Sequence, residues 1–274
     1  MPAINTNTAA NAAVRYLNIN SSQETSSLSK LSSGSRITSA SDDAAGLAIS
    51  TRISSDVTTL QQAATNASQA NAILQTADGG ASNISDILAR MKSLASESAS
   101  GTTTDSSRAY INSEFTQLTS EIDSIASGTR YSSQSLLDGS SVFASGVSVL
   151  VGSSGSDTIT ITLTSLTASS LGVSSLDVST LSNATSALTA LDTAIDTVSA
   201  ARASIGAQES RFNFSADSIS TQTQNLQSAN SAIKDVDIAA EQSKLSSAEV
   251  KTQAAVSALA AANQMPQYLL KLLG

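Results

Sequence analysis

Four groups of residues have side chains of a type and spacing that chemistry could use. Asp42 and Asp43 are adjacent carboxylates, and Asp235 and Asp237 are separated by one residue. Gly152 to Asp157 combines two glycines with small hydroxyl residues, and Arg202 and Glu209 lie one heptad apart. Paired carboxylates serve as acid and base, or as ligands of a divalent cation. A glycine-rich turn cradles phosphate when it ends in Gly-Lys-Ser or Gly-Lys-Thr and a helix follows. Each group also has a plainer reading. Neighbouring helical residues point in different directions, and no base partners Asp42 or Asp43. Carboxylates at a helix start ordinarily cap it and meet the positive end of its dipole. Gly152 to Asp157 lacks the phosphate-binding ending and reads as a hairpin turn. Arg202 and Glu209 read as a solvated stripe, the alternative being a register-setting contact between subunits.

The missing residue types narrow the chemistry further. The 274 residues include no Cys, no His and no Trp. An imidazole base, a thiol nucleophile, the usual zinc ligands and disulfide bonds are therefore unavailable. No catalytic, cofactor-binding or metal-binding residue is assigned, and the chain reads as a non-enzyme. A net charge of −8 disfavours nucleic acid. No apolar run approaches the roughly 20 residues needed to cross a bilayer, so no membrane partner is expected. The N-terminus has no basic stretch followed by an apolar one, so no cleavable secretory signal is expected either.

The elements that would position these groups are mostly helical. A first helix is expected from about Asn7 to Ser33, with Val14, Leu17, Ser21, Glu24, Leu28 and Leu31 on one seam and Gly34 at its end. Ser41 reads as the cap of a second helix, with Asp42 and Asp43 in its first turn. That helix carries the cleanest seam, from Ile53 and Val57 through Leu60, Leu74, Ile84 and Leu88 to Ala95, and Gly79-Gly80 suggests a bend or break within it. A shorter helix presents Ile111, Phe115, Leu118, Ile122 and Ile125 before Gly128. Alternation at Val147, Val149, Val151 and again at Ile159, Ile161, Leu163 predicts a β-hairpin. Helical spacing returns from Leu188 to Ile233, and Gly206 inside it suggests a packing requirement, or a flexible point. The last helix, from about Asp235, has Leu245, Ala248, Thr252, Ala255, Leu259, Ala262, Pro266 and Leu269 on its seam.

Hydrophobic residues make up 40% of the chain but aromatics only 3%, and Ala dominates the hydrophobic share. Small side chains suit thin bundles whose helices approach closely, rather than one thick core. Two ends that each carry a partner-seeking helix indicate a building block of an assembly. The fold class is mainly α: an elongated antiparallel helical bundle and a terminal coiled coil, with a small central β-hairpin.

Three stretches resemble bacterial flagellin. They are Ser27-Leu-Ser-Lys-Leu-Ser-Ser-Gly-Ser-Arg through Asp42-Asp-Ala-Ala-Gly-Leu-Ala-Ile49, Ser231-Ala-Ile-Lys-Asp-Val-Asp-Ile-Ala-Ala-Glu241, and Ala258-Leu-Ala-Ala-Ala-Asn-Gln-Met-Pro-Gln-Tyr-Leu-Leu-Lys-Leu-Leu273. Ile4-Asn-Thr-Asn7 is similar as well. The resemblance implies that residues 1–41 and 235–274 are two halves of an inner coiled-coil domain. Residues 42–182 would then start a rod-like bundle that includes the hairpin, and 183–234 would supply its long C-terminal helix. It implies a short flagellin without large outer domains, acting as a structural subunit of the extracellular flagellar filament for swimming. The implied partners are many further copies of the chain, the flagellar export apparatus, a secretion chaperone, and hook-associated junction and cap proteins. Export would be in the unfolded state, which the absence of Cys suits. Val14, Leu17, Leu28 and Leu31, with Leu245, Leu259, Leu269 and Leu270, are the expected self-assembly residues. Arg90, Leu94 and Glu114 match positions that an animal innate-immune receptor recognises in many flagellins, though Lys92 and Ser93 depart from the surrounding pattern. A hook–filament junction protein and a secreted coiled-coil adhesin are the alternatives.

Overall fold

The computed structural model describes residues 6–273, with side chains through residue 264. In chain order the elements are α1 (Thr8–Ser33), α2 (Ala44–Ser98), α3 (Asp105–Gly128), β1 (Arg130–Tyr131), β2 (Gln134–Ser135), α4 (Val142–Ser145), β3 (Val147–Leu150), β4 (Thr158–Ile161), α5 (Leu181–Lys234) and α6 (Ile238–Leu273). The chain divides into two compact units, one of residues up to 55 with those from 225 onward, the other of residues 56–224.

In the first unit, local chemistry sets each helix end. The Asn7 side chain accepts from the Ala10 N–H at 3.0 Å and starts α1. Gly34 ends it at φ 67°, a left-handed geometry that costs glycine least. Asp42 accepts from the Thr38 hydroxyl at 2.9 Å and from the Thr38 and Ser39 N–H groups at 3.0 Å each. Those three bonds hold residues 38–42 out of the helix. The cap of α2 is therefore Asp43, which accepts from the Gly46 N–H at 2.8 Å, and not Ser41. Neither aspartate lies in the first turn of α2, contrary to expectation. Asp237 caps α6 through the Ala240 N–H at 3.1 Å.

α1 and α6 pack along each other in antiparallel fashion. Asn7 Nδ2 donates to the Ala262 carbonyl at 2.8 Å, and Thr252 Oγ1 to Glu24 Oε2 at 3.2 Å. Where the two chain segments leave these helices, the Arg36 N–H donates to the Lys234 carbonyl at 2.6 Å and the Val236 N–H to the Gly34 carbonyl at 3.1 Å.

The second unit holds the larger core. Leu60, Leu74, Ile84, Leu88 and Met91 of α2 are fully buried, as are Phe115 and Ile122 of α3 and Leu191, Val198 and Phe212 of α5. Alanines at 67, 77, 81, 184, 187 and 194 are also buried, which lets helices approach where larger side chains would hold them apart. The Arg202–Asp78 and Lys92–Asp192 ion pairs and the Asn71–Asn213 hydrogen bond show α2 and α5 running antiparallel.

α2 passes through Gly79 and Gly80 unbroken. A Cβ at Gly80 would collide with the Thr129 and Leu137 side chains, so this glycine serves close packing and not a bend. Gly206 is the reverse: nothing lies within 4 Å of where its Cβ would stand, so packing does not require it.

β3 and β4 pair antiparallel, with Val147 opposite Ile161 and Val149 opposite Ile159. Asp157 closes the turn by accepting from the Ser154 N–H at 3.1 Å. Gln208 of α5 then continues the hydrogen bonding as a strand would. Its Oε1 accepts from the Thr162 N–H and its Nε2 donates to the Thr162 carbonyl, both at 3.0 Å. A second hairpin, β1–β2, was not expected. Its turn places Ser132 and Ser133 at φ 47° and 69°, where glycine or asparagine is the usual sequence signal.

Candidate functional site

The α1–α6 pair is where the expected site residues gather. On α6, Glu241, Leu245, Ala248, Ala255 and Ala262 are buried, and Thr252 and Leu259 are half-buried. From Leu245 to Ala262 these are the expected seam positions; Glu241 was not expected among them, and Pro266 lies outside the residues whose side chains are described. α1 is rotated from its expected phase. Leu17, Glu24 and Leu31 face the pair as expected, but between them come Ala13, Asn20 and Ser27 in place of Val14, Ser21 and Leu28. At two of the three positions the smaller residue, Ala13 or Ser27, sits against the alanine-rich face of α6, where a Val or Leu would widen the pair; Asn20 in place of the smaller Ser21 follows from the same rotation. Val14 and Leu28 are therefore 40% and 57% exposed. Leu269 and Leu270 lie outside the residues whose side chains are described.

Val14 and Leu28 are not isolated. Tyr16, Ile19, Val250 and Val256 on the same two helices are also exposed apolar side chains. Single exposed apolar residues are ordinary, but this many on a two-helix unit leave it with apolar surface still to cover.

Between the helices runs a polar groove of about 550 Å³ lined by Lys30, Lys244, Lys251, Ser27 and Glu241. The Glu241 carboxylate accepts from Lys244 Nζ at 2.8 Å. That bond, followed by one from the Ser27 hydroxyl, holds Glu241 below its ordinary pKa although the residue is 95% buried by area. This groove was missed at the sequence level. Lys244 and Lys251 are one heptad apart on one face of α6, which was a readable signal, whereas Lys30 joins them only through the antiparallel pairing.

The other groups resolve into structural roles. The Thr38 hydroxyl, with the Thr38 and Ser39 N–H groups, holds Asp42 at about 2. Asp43 and Asp237 are helix caps, and Gly152 to Asp157 is a hairpin turn. Arg202 does not form a solvated stripe with Glu209. It reaches across to α2, donating from Nε to Asp78 Oδ1 at 2.8 Å, because α5 and α2 run antiparallel at this level. Burial, and then the nearby Asp78 charge, raise the Glu209 pKa. Arg90 and Glu114 form an exposed ion pair at 2.6 Å. Leu94 is 3% exposed and belongs to the core, so it does not share their surface, contrary to the receptor-facing expectation. Its position one residue before Ala95 puts it on the inward edge of the same seam. Among the described residues, no helix is long and apolar enough to cross a membrane, and no metal-holding group of acids is found.

Comparison with known proteins agrees with this anatomy. Residues 4–142 match the bacterial flagellin N-terminal helical region, and residues 188–273 match the bacterial flagellin C-terminal helical region. A flagellin of Halalkalibacterium halodurans is 36% identical over 98% of this chain and 99% of its own length. A flagellar filament 30.7 kDa core protein of Treponema maltophilum is 34% identical with the same coverage. The crystal structure of Bacillus cereus flagellin superposes with a TM-score of 0.52 at 29% identity, covering 61% of this chain and 94% of that one.

Proposed function

This chain belongs to the bacterial flagellin family, and we propose that copies of it join through the outer faces of α1 and α6. It is a structural subunit of the extracellular flagellar filament, which self-polymerises and serves swimming motility; the family is one of filament proteins and not of enzymes. It is a short flagellin, because its relatives match it end to end and only residues 143–187 separate the two family regions.

The observation that supports assembly through the end helices is the apolar surface left on them, with Val14 and Leu28 turned outward and Leu17, Leu31, Leu245 and Leu259 turned into the pair. A helix pair this thin gains its missing burial from neighbours. Leu269 and Leu270 extend the same role along α6. On this reading residues 1–41 and 235–274 are the assembly domain, and 42–182 with 183–234 the rod. The export apparatus and a secretion chaperone deliver the chain unfolded, and hook-associated junction and cap proteins bound the polymer. The absence of Cys supports unfolded passage, since no disulfide can lock the chain beforehand. Arg90 and Glu114 stay exposed at the positions matched by the receptor resemblance while Leu94 does not, and receptor recognition is not proposed.

The test is expression in a bacterium lacking its own flagellin. The unmodified chain should restore filaments and swimming. Leu259→Asp should restore neither, because the pair would have to bury an unpaired charge, while the bundle of residues 56–224 stays folded. Normal filaments from that variant would overturn the assignment.

A further inference from the structure

The charges of this chain are divided very unevenly. Residues 1–55 and 225–274 carry eight Lys or Arg against seven Asp or Glu, while residues 56–224 carry six against fifteen. One unit is thus +1 and the other −9. The near-neutral unit also concentrates its cations. Lys30, Lys244 and Lys251 line the α1–α6 groove, whose carboxylate, Glu241, is already taken by Lys244 and the Ser27 hydroxyl. An adjoining hollow of about 210 Å³ is mixed in charge, Lys30 and Arg36 facing Asp42 and Asp43 across it, so the open cationic surface is that of the groove. Among the described residues, no ion pair engages Lys30 or Lys251.

Packing many copies of a unit charged −9 side by side raises their mutual repulsion, and a polymer lowers it by placing cations against that surface. We infer that the lysine groove receives acidic side chains from residues 56–224 of a second copy. The inference rests on the filament reading above, since it concerns how copies meet. Contacts of this kind set register and association rate more than affinity, and salt screens them within a Debye length of about 8 Å at physiological ionic strength. The groove would therefore steer an arriving subunit before the apolar faces close.

The test uses filaments grown from an equal mixture of unlabelled and 15N-labelled full-length chain, treated with a zero-length carbodiimide that joins amines to carboxylates. After digestion, mass spectrometry should find Lys30, Lys244 or Lys251 joined to an Asp or Glu within 56–224. Mixed isotopic forms should show that two copies contributed. Links from these lysines only within one copy, or only to acids of 1–55 and 225–274, would overturn the inference while leaving the filament reading intact. Failure to form any filament would overturn the filament reading and the groove contact with it. A second arm uses the Lys251→Glu chain. Its monomer should fold normally, because among the described residues no ion pair engages Lys251, but seeded elongation at low salt should slow at least twofold and approach the unmodified rate at high salt. Equal rates at low salt would also overturn the contact.

Discussion

Leu28 and Leu245 are both leucines of the α1–α6 pair, yet they should fail in different assays when cut to alanine. Leu28 is 57% exposed, whereas Leu245 is 8% exposed. Truncation removes three carbons worth about 0.8 kcal/mol each when buried, or about 2.4 kcal/mol in all. For Leu28, 57% of that remains to be gained only when another copy covers it, about 1.4 kcal/mol or a tenfold rise in critical concentration. The rest falls on the monomer, and alanine's helix propensity offsets part of it. Leu245→Ala instead removes atoms already buried in the pair and should cost it about 2–5 kcal/mol. Sedimentation of polymer against free subunit measures the first effect, and helix content of the monomer by circular dichroism measures the second. An unchanged critical concentration in Leu28→Ala, or a loss of monomer helix as large as in Leu245→Ala, would refute the assignment of an outward face to Leu28.

Three further outcomes are expected. Glu241 is held below its ordinary pKa of 4.5, and Asp42 is held down from 3.8 to about 2. Their contributions are complete above those ordinary values and disappear as pH falls through the lowered ones, so the unit containing α1 and α6 should lose helix between about pH 5 and about pH 2. Glu241→Gln should flatten that transition, and an unaltered curve would contradict the cause given; Glu209, whose pKa is raised, acts in the opposite sense in residues 56–224. Gly206→Ala should stabilise by up to about 1 kcal/mol, whereas Gly80→Ala should lose about 1–3 kcal/mol to collision with Thr129 and Leu137; denaturant melts giving the same sign for both would be inconsistent with this packing. Arg108 has only 8% of its side chain exposed and donates to the Ser98 and Ser100 carbonyls at 2.9 Å each. Arg108→Met should cost about 2–4 kcal/mol by leaving those acceptors unpaired, and a loss under about 0.5 kcal/mol would show that they find other donors.

Legibility varied with how many neighbouring residues competed for a seam. On α6 the expected positions from Leu245 to Leu259 are the ones turned inward, because Leu245, Ala248, Thr252 and Leu259 have no equally apolar residue beside them, while Ala255 is the periodic choice over its larger neighbour Val256. On α1 the choices lay between Ala13 and Val14 and between Ser27 and Leu28. Hydrophobicity favoured the larger member, but close packing against alanines took the smaller. The same competition explains Leu94, adjacent to Ala95 with both buried. Gly79-Gly80 carries an ambiguous signal, since a glycine pair marks a bend or a close contact equally well, and only the distant Thr129 and Leu137 decide. The Ser132-Ser133 turn is local but lacks the glycine or asparagine that would mark it, whereas the Gln208 clamp on Thr162 and the Lys30 side of the groove depend on residues far apart in the chain. Periodicity within one helix carries no information about them.

The central claim is that the terminal helices drive polymerisation. It is tested most directly by seeding purified protein with short filament fragments and viewing it by electron microscopy beside a chain lacking residues 1–34 and 245–274. The full chain should extend the seeds into long filaments while the truncated chain stays monomeric. Extension by the truncated chain, or a full chain that halts as a small oligomer on the same seeds, would contradict the claim.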